Sequence, residues 1–363
     1  MKLKQRRLFL SLVSVIIMLC NSFFSEVTSY AHENTLAATA SSNSLSNEKE
    51  QESIHLSESN VTNDIQNGGA FYEDVPEAKS SLLGAAQYFH IFAKRANLYA
   101  HTNGNLAVAD LNGNVNFGTN IHEGLVKKDI AYIQNITNIG SSSFVTAQGG
   151  RSNKVVFGKN IQIDGSNPSR PMVNNTFMDH LKLSEVYQDK DEGTYINFEK
   201  EMPSLERTSK HLSEQTSNGA VKFDFSDRNN RTIDVSNIDD SPIYINLSID
   251  VLSEATPVKI LGLTENKNVI INVDVLGSNA NINSKIVLVY KNQIERANKE
   301  TEYFKDATLL WNFYNTYEDQ IININAPFQG TILAINTEIN ANQNVDGSLI
   351  AKTVNVKAET HRW

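Results

Sequence analysis

The chain has 363 residues, a formal net charge of −9 and a pI of about 5.4. That length supplies one large domain or two small ones, with ample residues for a core. The acidic balance argues against a nucleic-acid binder, which needs a basic stripe for phosphates, and against adsorption to anionic lipid.

The first 31 residues read as a secretory signal peptide. Lys2, Lys4, Arg6 and Arg7 open the chain, and a largely apolar run follows from Leu8 to Phe24. Ser29-Tyr30-Ala31 then puts small residues at the −3 and −1 positions of a cleavage site. An uncleaved N-terminal anchor is the rival reading. Cys20 is the only cysteine, and the bulky Leu19 before it disfavours lipidation. A mature chain lacking it has no disulfide, thiolate metal site or cysteine nucleophile. That usage fits a bacterial secreted or surface protein.

Residues 32–77 read as a disordered spacer rich in Ser, Asn and Glu. Residues 32–70 contain no Phe, Trp or Tyr, and Lys49 is the only Lys or Arg there. Such a stretch cannot bury enough apolar surface to offset its ordering entropy. The folded domain is expected over 78–363. Leu82, Ala86, Phe89 and Ala93 follow a 4-3-4 spacing after Ser80 and Ser81, which predicts a short amphipathic helix. From Leu98 the period becomes two, and Asn103-Gly104 and Asn112-Gly113 read as turns.

Short β-branched segments then dominate. They are Lys154–Phe157, Ile161–Ile163, Val221–Phe225, Ile243–Val251, Val258–Leu263, Val269–Val275, Ile286–Tyr290, Ile321–Ile324, Ile332–Ile335 and Val354–Val356. One segment differs: Phe198, Met202, Leu205, Ser209 and Leu212 repeat at 4-3-4-3, which predicts an amphipathic helix ending near Asn218-Gly219. Pro203 lacks an N–H, so the helix is expected to kink or to begin there. Residues 292–306 read as a second short helical excursion.

Near the end the chain writes one phrase twice, FQGTILA at 328–334 and VDGSLIA at 345–351, an offset of 17 residues. Glycine at a sharp bend followed by apolar residues that stack on the next copy is the pattern of a solenoid coil. Two similar strands of a sandwich would give the same phrase.

The stretch LLGAAQYFHIFAKRANLYAHTNGNLAVADLNGNVNFGT (82–119) resembles the opening signature of the choice-of-anchor A domain, a family of exported, adhesin-like bacterial proteins. Leu83-Gly84, Phe89 with Phe92, and Asn103-Gly104-Asn105-Leu106-Ala107 carry that likeness. The close, residues 309–363, is similar to the family's Trp-Asn-Phe, FQGTILA, Gly-x-x-Ile-Ala and terminal Glu-x-His elements. Ala334-Ile335 stands where the family has Ala-Pro, and Ala358-Glu359 where it has Gly-Glu. No LPxTG-like motif, hydrophobic tail or basic end follows Trp363. The resemblance implies a mainly β fold, a right-handed parallel β-helix (solenoid) with one α-helix packed along its side. It also implies adhesion or envelope structure rather than catalysis, and it brings no catalytic residues.

Candidate chemistry is sparse. Asp224 and Asp227 are close in sequence, yet a calcium loop would alternate its acidic ligands and supply a downstream Gly and Glu. A strand end and turn is the favoured reading, with calcium as the open alternative; Asp239-Asp240 also reads as a turn. His90, His101, His122, His180, His211 and His361 show no metal-ligand spacing, and His361 is expected to hydrogen-bond or pack locally. Thr331, Thr337 and Thr353 share no repeat position, which disfavours an ice-binding face. Asn323, Asn325, Asn336, Asn340, Asn342 and Asn344 read as turn-forming or ladder-stacking residues, with a glycan-binding face as the rival. Trp311, Phe313, Tyr314 and Tyr317 read first as an end plug of the solenoid and second as a sugar platform. The expectation is therefore a secreted or surface-associated binding protein without a cofactor or catalytic residues. Its partner would be an extracellular glycan, matrix protein or envelope component. A carbohydrate-cleaving β-helix enzyme is the alternative.

Overall fold

The computed structural model describes residues 65–119, 127–191, 193–299 and 304–363. The expected signal peptide and most of the expected spacer lie outside the described residues, as does His122.

The strands in chain order are β1 (Gln66–Asn67), β2 (Ile91–Leu98), β3 (Thr102–Asn103), β4 (Leu106–Gly113), β5 (Lys128–Ile139), β6 (Ser152–Phe157), β7 (Ile163–Asp164), β8 (Met172–Val173), β9 (Thr176–Phe177), β10 (Val186–Gln188), β11 (Lys222–Asp224) and β12 (Arg231–Asp234). They continue as β13 (Ile243–Ser248), β14 (Val258–Leu263), β15 (Val269–Asp274), β16 (Ala280–Ile282), β17 (Ile286–Tyr290), β18 (Leu309–Tyr314), β19 (Gln320–Ile324), β20 (Phe328–Gln329), β21 (Thr331–Ala341), β22 (Val345–Asp346), β23 (Leu349–Val356) and β24 (Thr360–His361). The helices are α1 (Phe71–Asp74), α2 (Phe198–Ser213) and α3 (Asp250–Ser253).

The repeated phrase forms two stacked coils of a parallel β-helix. Ile332 pairs with Leu349, Leu333 with Ile350 and Ala334 with Ala351, all parallel. The two glycines take positive φ, +115° at Gly330 and +151° at Gly347. A Cβ on Gly347 would lie 2.1 Å from the Gly330 carbonyl oxygen, so the close approach of successive bends requires glycine there.

The coils do not stack in chain order. The main sheet runs β1-β10-β6-β5-β4-β2-β23-β21-β18-β15-β13. The N-terminal half therefore grows outward from β2, while the C-terminal half starts at the far end and grows back. It finishes with β23 paired in parallel to β2. Between the halves α2 carries the chain back along the flank. Its 16 residues, at about 1.5 Å each, span about 24 Å, or five rungs of about 4.8 Å.

The main sheet is buried on both sides, which is why its strands read as apolar runs. Ile91, Ala93, Leu106, Val108, Ile332 and Leu349 fill the solenoid interior. Phe92, Tyr132, Leu333 and Ile350 point outward into a second core shared with α2. The residues that α2 buries are the predicted five: Phe198, Met202, Leu205, Ser209 and Leu212. Asn197 caps it by accepting from the Lys200 N–H at 3.2 Å, and Pro203 lies inside the helix on an exposed side.

Asparagine ladders run across the coils. Along one face Asn112, Asn97, Asn355, Asn340, Asn323 and Asn281 pass amide hydrogen bonds from rung to rung at 2.7–3.3 Å. Asn342, Asn325 and Asn283 repeat this beside them. Asn336 takes a positive φ at a bend. A ladder that runs from the exposed Asn246 to the buried Asn272 and Asn312 joins the sheet to α2, where Asn272 and Asn312 donate to the Leu212 and Ser209 carbonyls at 2.8 Å.

Several expectations are corrected. Residues 82–93 are not a helix: Gly84–Tyr88 is a single 3-10 turn, and Ile91 onward is strand, because pairing to β23 on one side and β4 on the other overrides the helical spacing. Residues 65–77, assigned to the spacer, belong to the fold. β1 pairs with β10, and Phe71 is buried against Tyr88, Phe89 and Tyr195. The Asn-Gly pairs make no hairpins. Gly113 is paired within β4, where a Cβ would lie 2.8 Å from Leu98 Cβ, and Gly104 faces His90 in the same way at 2.3 Å. Among the described residues of 292–306 there is no helix. β11 exposes Phe223, 45% accessible, because it caps β12 as an antiparallel end strand.

Candidate functional site

The C-terminal signature builds a buried polar corner. In the small sheet β20-β22-β24-β3 the outer rungs are Gln329, Asp346, His361 and Asn103. The Asp346 carboxylate is fully buried, with His361 Nδ1 and an Arg296 guanidinium nitrogen each 2.7 Å away. Burial opposes charge on His361, but its bond to Asp346 and the nearby Asp346 and Glu359 carboxylates outweigh it, so its pKa is raised. Arg296 stacks on Trp363 at 4.2 Å, and Trp363 Nε1 donates to Asp306 at 2.8 Å. Inside the same corner His90 Nε2 meets Thr360 Oγ1 at 2.9 Å. The side chains of Asp346, His361 and Arg296 are buried and turned to protein partners. This cluster ties Arg296 and Asp306 to the closing coil and offers no opening for a ligand.

The open site lies beside that corner. A groove of about 580 Å³ crosses the outer side of the main sheet next to α2. Its floor is one rung column, Tyr244, Ile270, Leu310 and Thr331, paired across β13, β15, β18 and β21. Four rungs at about 4.8 Å give a floor roughly 14 Å long. Tyr88, Tyr244, Phe304 and Trp363 supply aromatic surface, and Gln87, Asn268, Thr308 and Ser348 supply hydrogen-bonding groups. Arg362 is the only charged residue in the lining among the described residues, and its guanidinium is held by the Tyr88 carbonyl at 3.0 Å and by Thr119 at 3.1 Å. No Asp or Glu lines the groove among the described residues.

The residues singled out from sequence do not converge on this groove. Asp224 accepts from Ser226 and Asp227 from the Asn229 N–H, each closing a local turn. Among the described residues no group of three His, Cys, Asp or Glu is placed to hold a metal. His180 meets the Phe144 carbonyl oxygen, and His211 sits on the exposed side of α2. Trp311 and Phe313 are neither an end plug nor a sugar platform. They fill the solenoid interior on the central strand β18, with Trp311 Nε1 donating to the Gln329 carbonyl at 3.0 Å. The groove aromatics had no common signal, since Tyr88 and Trp363 meet only when the last coil closes on the first.

Residues 82–362 match the model of the family described as "Putative Ice-binding-like adhesive domain". The chain belongs to this family. Two solved structures of an ice-binding protein from an Arctic yeast are also similar to it. They share 8% identity, with TM-scores of 0.30 and 0.32, over 77% of this chain and 92% and 93% of theirs. At those scores the likeness decides neither fold detail nor ligand. No curated protein matches the sequence significantly. Membership among the ice-binding-like adhesive domains describes a binding protein, here of β-helical fold. No helix among the described residues is long and apolar enough to cross a membrane.

Proposed function

We propose that this ice-binding-like adhesive domain is a secreted or surface-associated bacterial adhesin of the choice-of-anchor A type, and that its groove holds a strand of an extracellular glycan. The groove lining carries this reading. A straight floor of rungs, aromatic walls and neutral hydrogen-bonding groups suit a sugar chain, whose faces are apolar and whose edges are hydroxyl-rich. Export is supported by the basic-then-apolar leader and by the absence of cysteine after it. Cleaving a glycosidic bond needs paired carboxylates or a base assisted by metal, and the described residues of the groove lining supply neither.

The test is an array of glycans, matrix proteins and envelope polymers probed with residues 65–363. Glycan binding that falls at least tenfold in Tyr244→Ala and Tyr88→Ala is the expected result. Binding confined to matrix proteins, or unchanged in both variants, refutes the groove as a glycan site. Release of shorter sugars from a bound polymer would instead establish the enzymatic alternative.

A further inference from the structure

The N-terminal segment is fastened to the solenoid at one point of unusual chemistry. Lys154 of β6 is buried, its side chain 9% exposed, and it meets Asp74, the last residue of α1, 80 positions earlier in the chain. Its Nζ donates to the Gly68 carbonyl at 2.8 Å and is in direct contact with Asp74 Oδ2. The rings of Tyr187 and Tyr195 flank the amine at 4.8 and 4.9 Å. The two carboxyl oxygens of Asp74 have different neighbours. Tyr195 O–H donates to Oδ2 at 2.7 Å, while Lys128 Nζ stands 3.3 Å from Oδ1.

We propose that Lys154 and Asp74 condense to an intramolecular amide, a covalent staple between the N-terminal segment and the solenoid. One proton passes from Nζ to Oδ2 across their direct contact, which leaves an amine and a carboxylic acid as the reacting pair. Nζ then attacks Cγ. Contact between the reactants replaces a bimolecular encounter, and a desolvated lysine is the nucleophilic form. Negative charge gathers on Oδ1, where Lys128 stands, and the Tyr195 phenol donates to the departing oxygen. The Cγ–Oδ2 bond breaks, Nζ loses a second proton to that oxygen, and one water leaves. The ammonium's three hydrogens become one amide N–H and the two of that water, so no oxidant or cofactor enters. In a chain without cysteine after its leader, the amide does the work of a disulfide. Once β1, a strand of 2 residues, has peeled away, the amide carries a pull on the N-terminal segment into β6.

Mass spectrometry of the full-length protein, denatured after purification, decides this. The expected intact mass is lighter by one water than that of the chain without the amide. Digestion is expected to give a branched peptide joining the segments around Asp74 and Lys154. Asp164-Gly165 and Asp346-Gly347 can also lose water by cyclising, so Lys154→Arg serves as the control. It keeps the charge, and its mass should return to the full value. Separate peptides carrying unmodified Asp74 and Lys154 from the wild-type protein would overturn the proposal and leave a buried ion pair.

Discussion

His90 makes the pH dependence of stability a direct probe of the closing corner. Its ring is fully buried at the seam where the last coil meets the first, and its Nδ1 has no hydrogen-bond partner. Burial, then the positive charges of His361 and Arg362, depress its pKa from 6.5 to about 3. The folded state therefore holds the ring neutral while the unfolded chain binds a proton below about pH 6.5. A depressed histidine pKa gives stability that is complete above 6.5 and lost as the pH falls toward 3. Integrating the difference in bound protons, the loss between pH 6.5 and 4.5 is about 2 kcal/mol. His361 works the other way. Its pKa is raised, so its contribution is complete below 6.5 and declines as the pH rises above that value. The experiment is urea unfolding at pH 6.5, 5.5 and 4.5 for the wild type and for His90→Gln, which keeps an amide within reach of Thr360. Carboxylates titrating in that range cancel in the comparison. The wild type is expected to lose about 2 kcal/mol more than the variant over the window. Equal slopes would mean that His90 is protonated in the folded protein, and the picture of a sealed, dry corner would fall.

Other outcomes follow from the packing. Leu205→Ala and Leu212→Ala should each cost about 2–5 kcal/mol in denaturant unfolding, because both residues are buried between α2 and the main sheet. Asn312→Ala should cost about 1–3 kcal/mol by removing the partner of the Ser209 hydroxyl and of the Asn272 Oδ1, whereas Asn281→Ala at the exposed end of its ladder should stay within about 0.5 kcal/mol. Gly347→Ala should lower the melting temperature sharply, since its Cβ has to displace the Gly330 carbonyl. Chains beginning at residue 65 should melt like those beginning at 32. Chains beginning at 81 should lose at least the roughly 3–5 kcal/mol of a deleted core phenylalanine, because Phe71 goes with the segment.

What the sequence determined by itself is local and periodic. The twofold phrase with its glycines announced stacked coils, and the stripe Phe198 to Leu212 announced a helix with one buried face. Both patterns follow from side-chain repeats that are written within a few turns of chain. The asparagine-rich coils were legible as ladders for the same reason, since parallel register puts like residues on like. Local spacing failed where a distant partner decided the outcome. Leu82 to Ala93 has helical spacing, yet Gly84–Tyr88 is only a 3-10 turn and strands paired on both sides of β2 make Ile91 onward extended. Residues 65–77 lack a long apolar run, yet Phe71 finds a ready-made aromatic pocket. Only the tertiary structure decided that the last coil docks on the first, with Asn97 and Asn355 joined across 258 residues of chain. The groove is a product of that folding back, while the Asp346-His361-Arg296 lock and the Lys154-Asp74 contact each join residues far apart within one half of the chain. Each unites residues from separate coils whose spacing in sequence is set by intervening loops and not by any repeat. Such contacts leave no period to read, because coil order in space is fixed by where α2 returns the chain rather than by the order in which the coils are written.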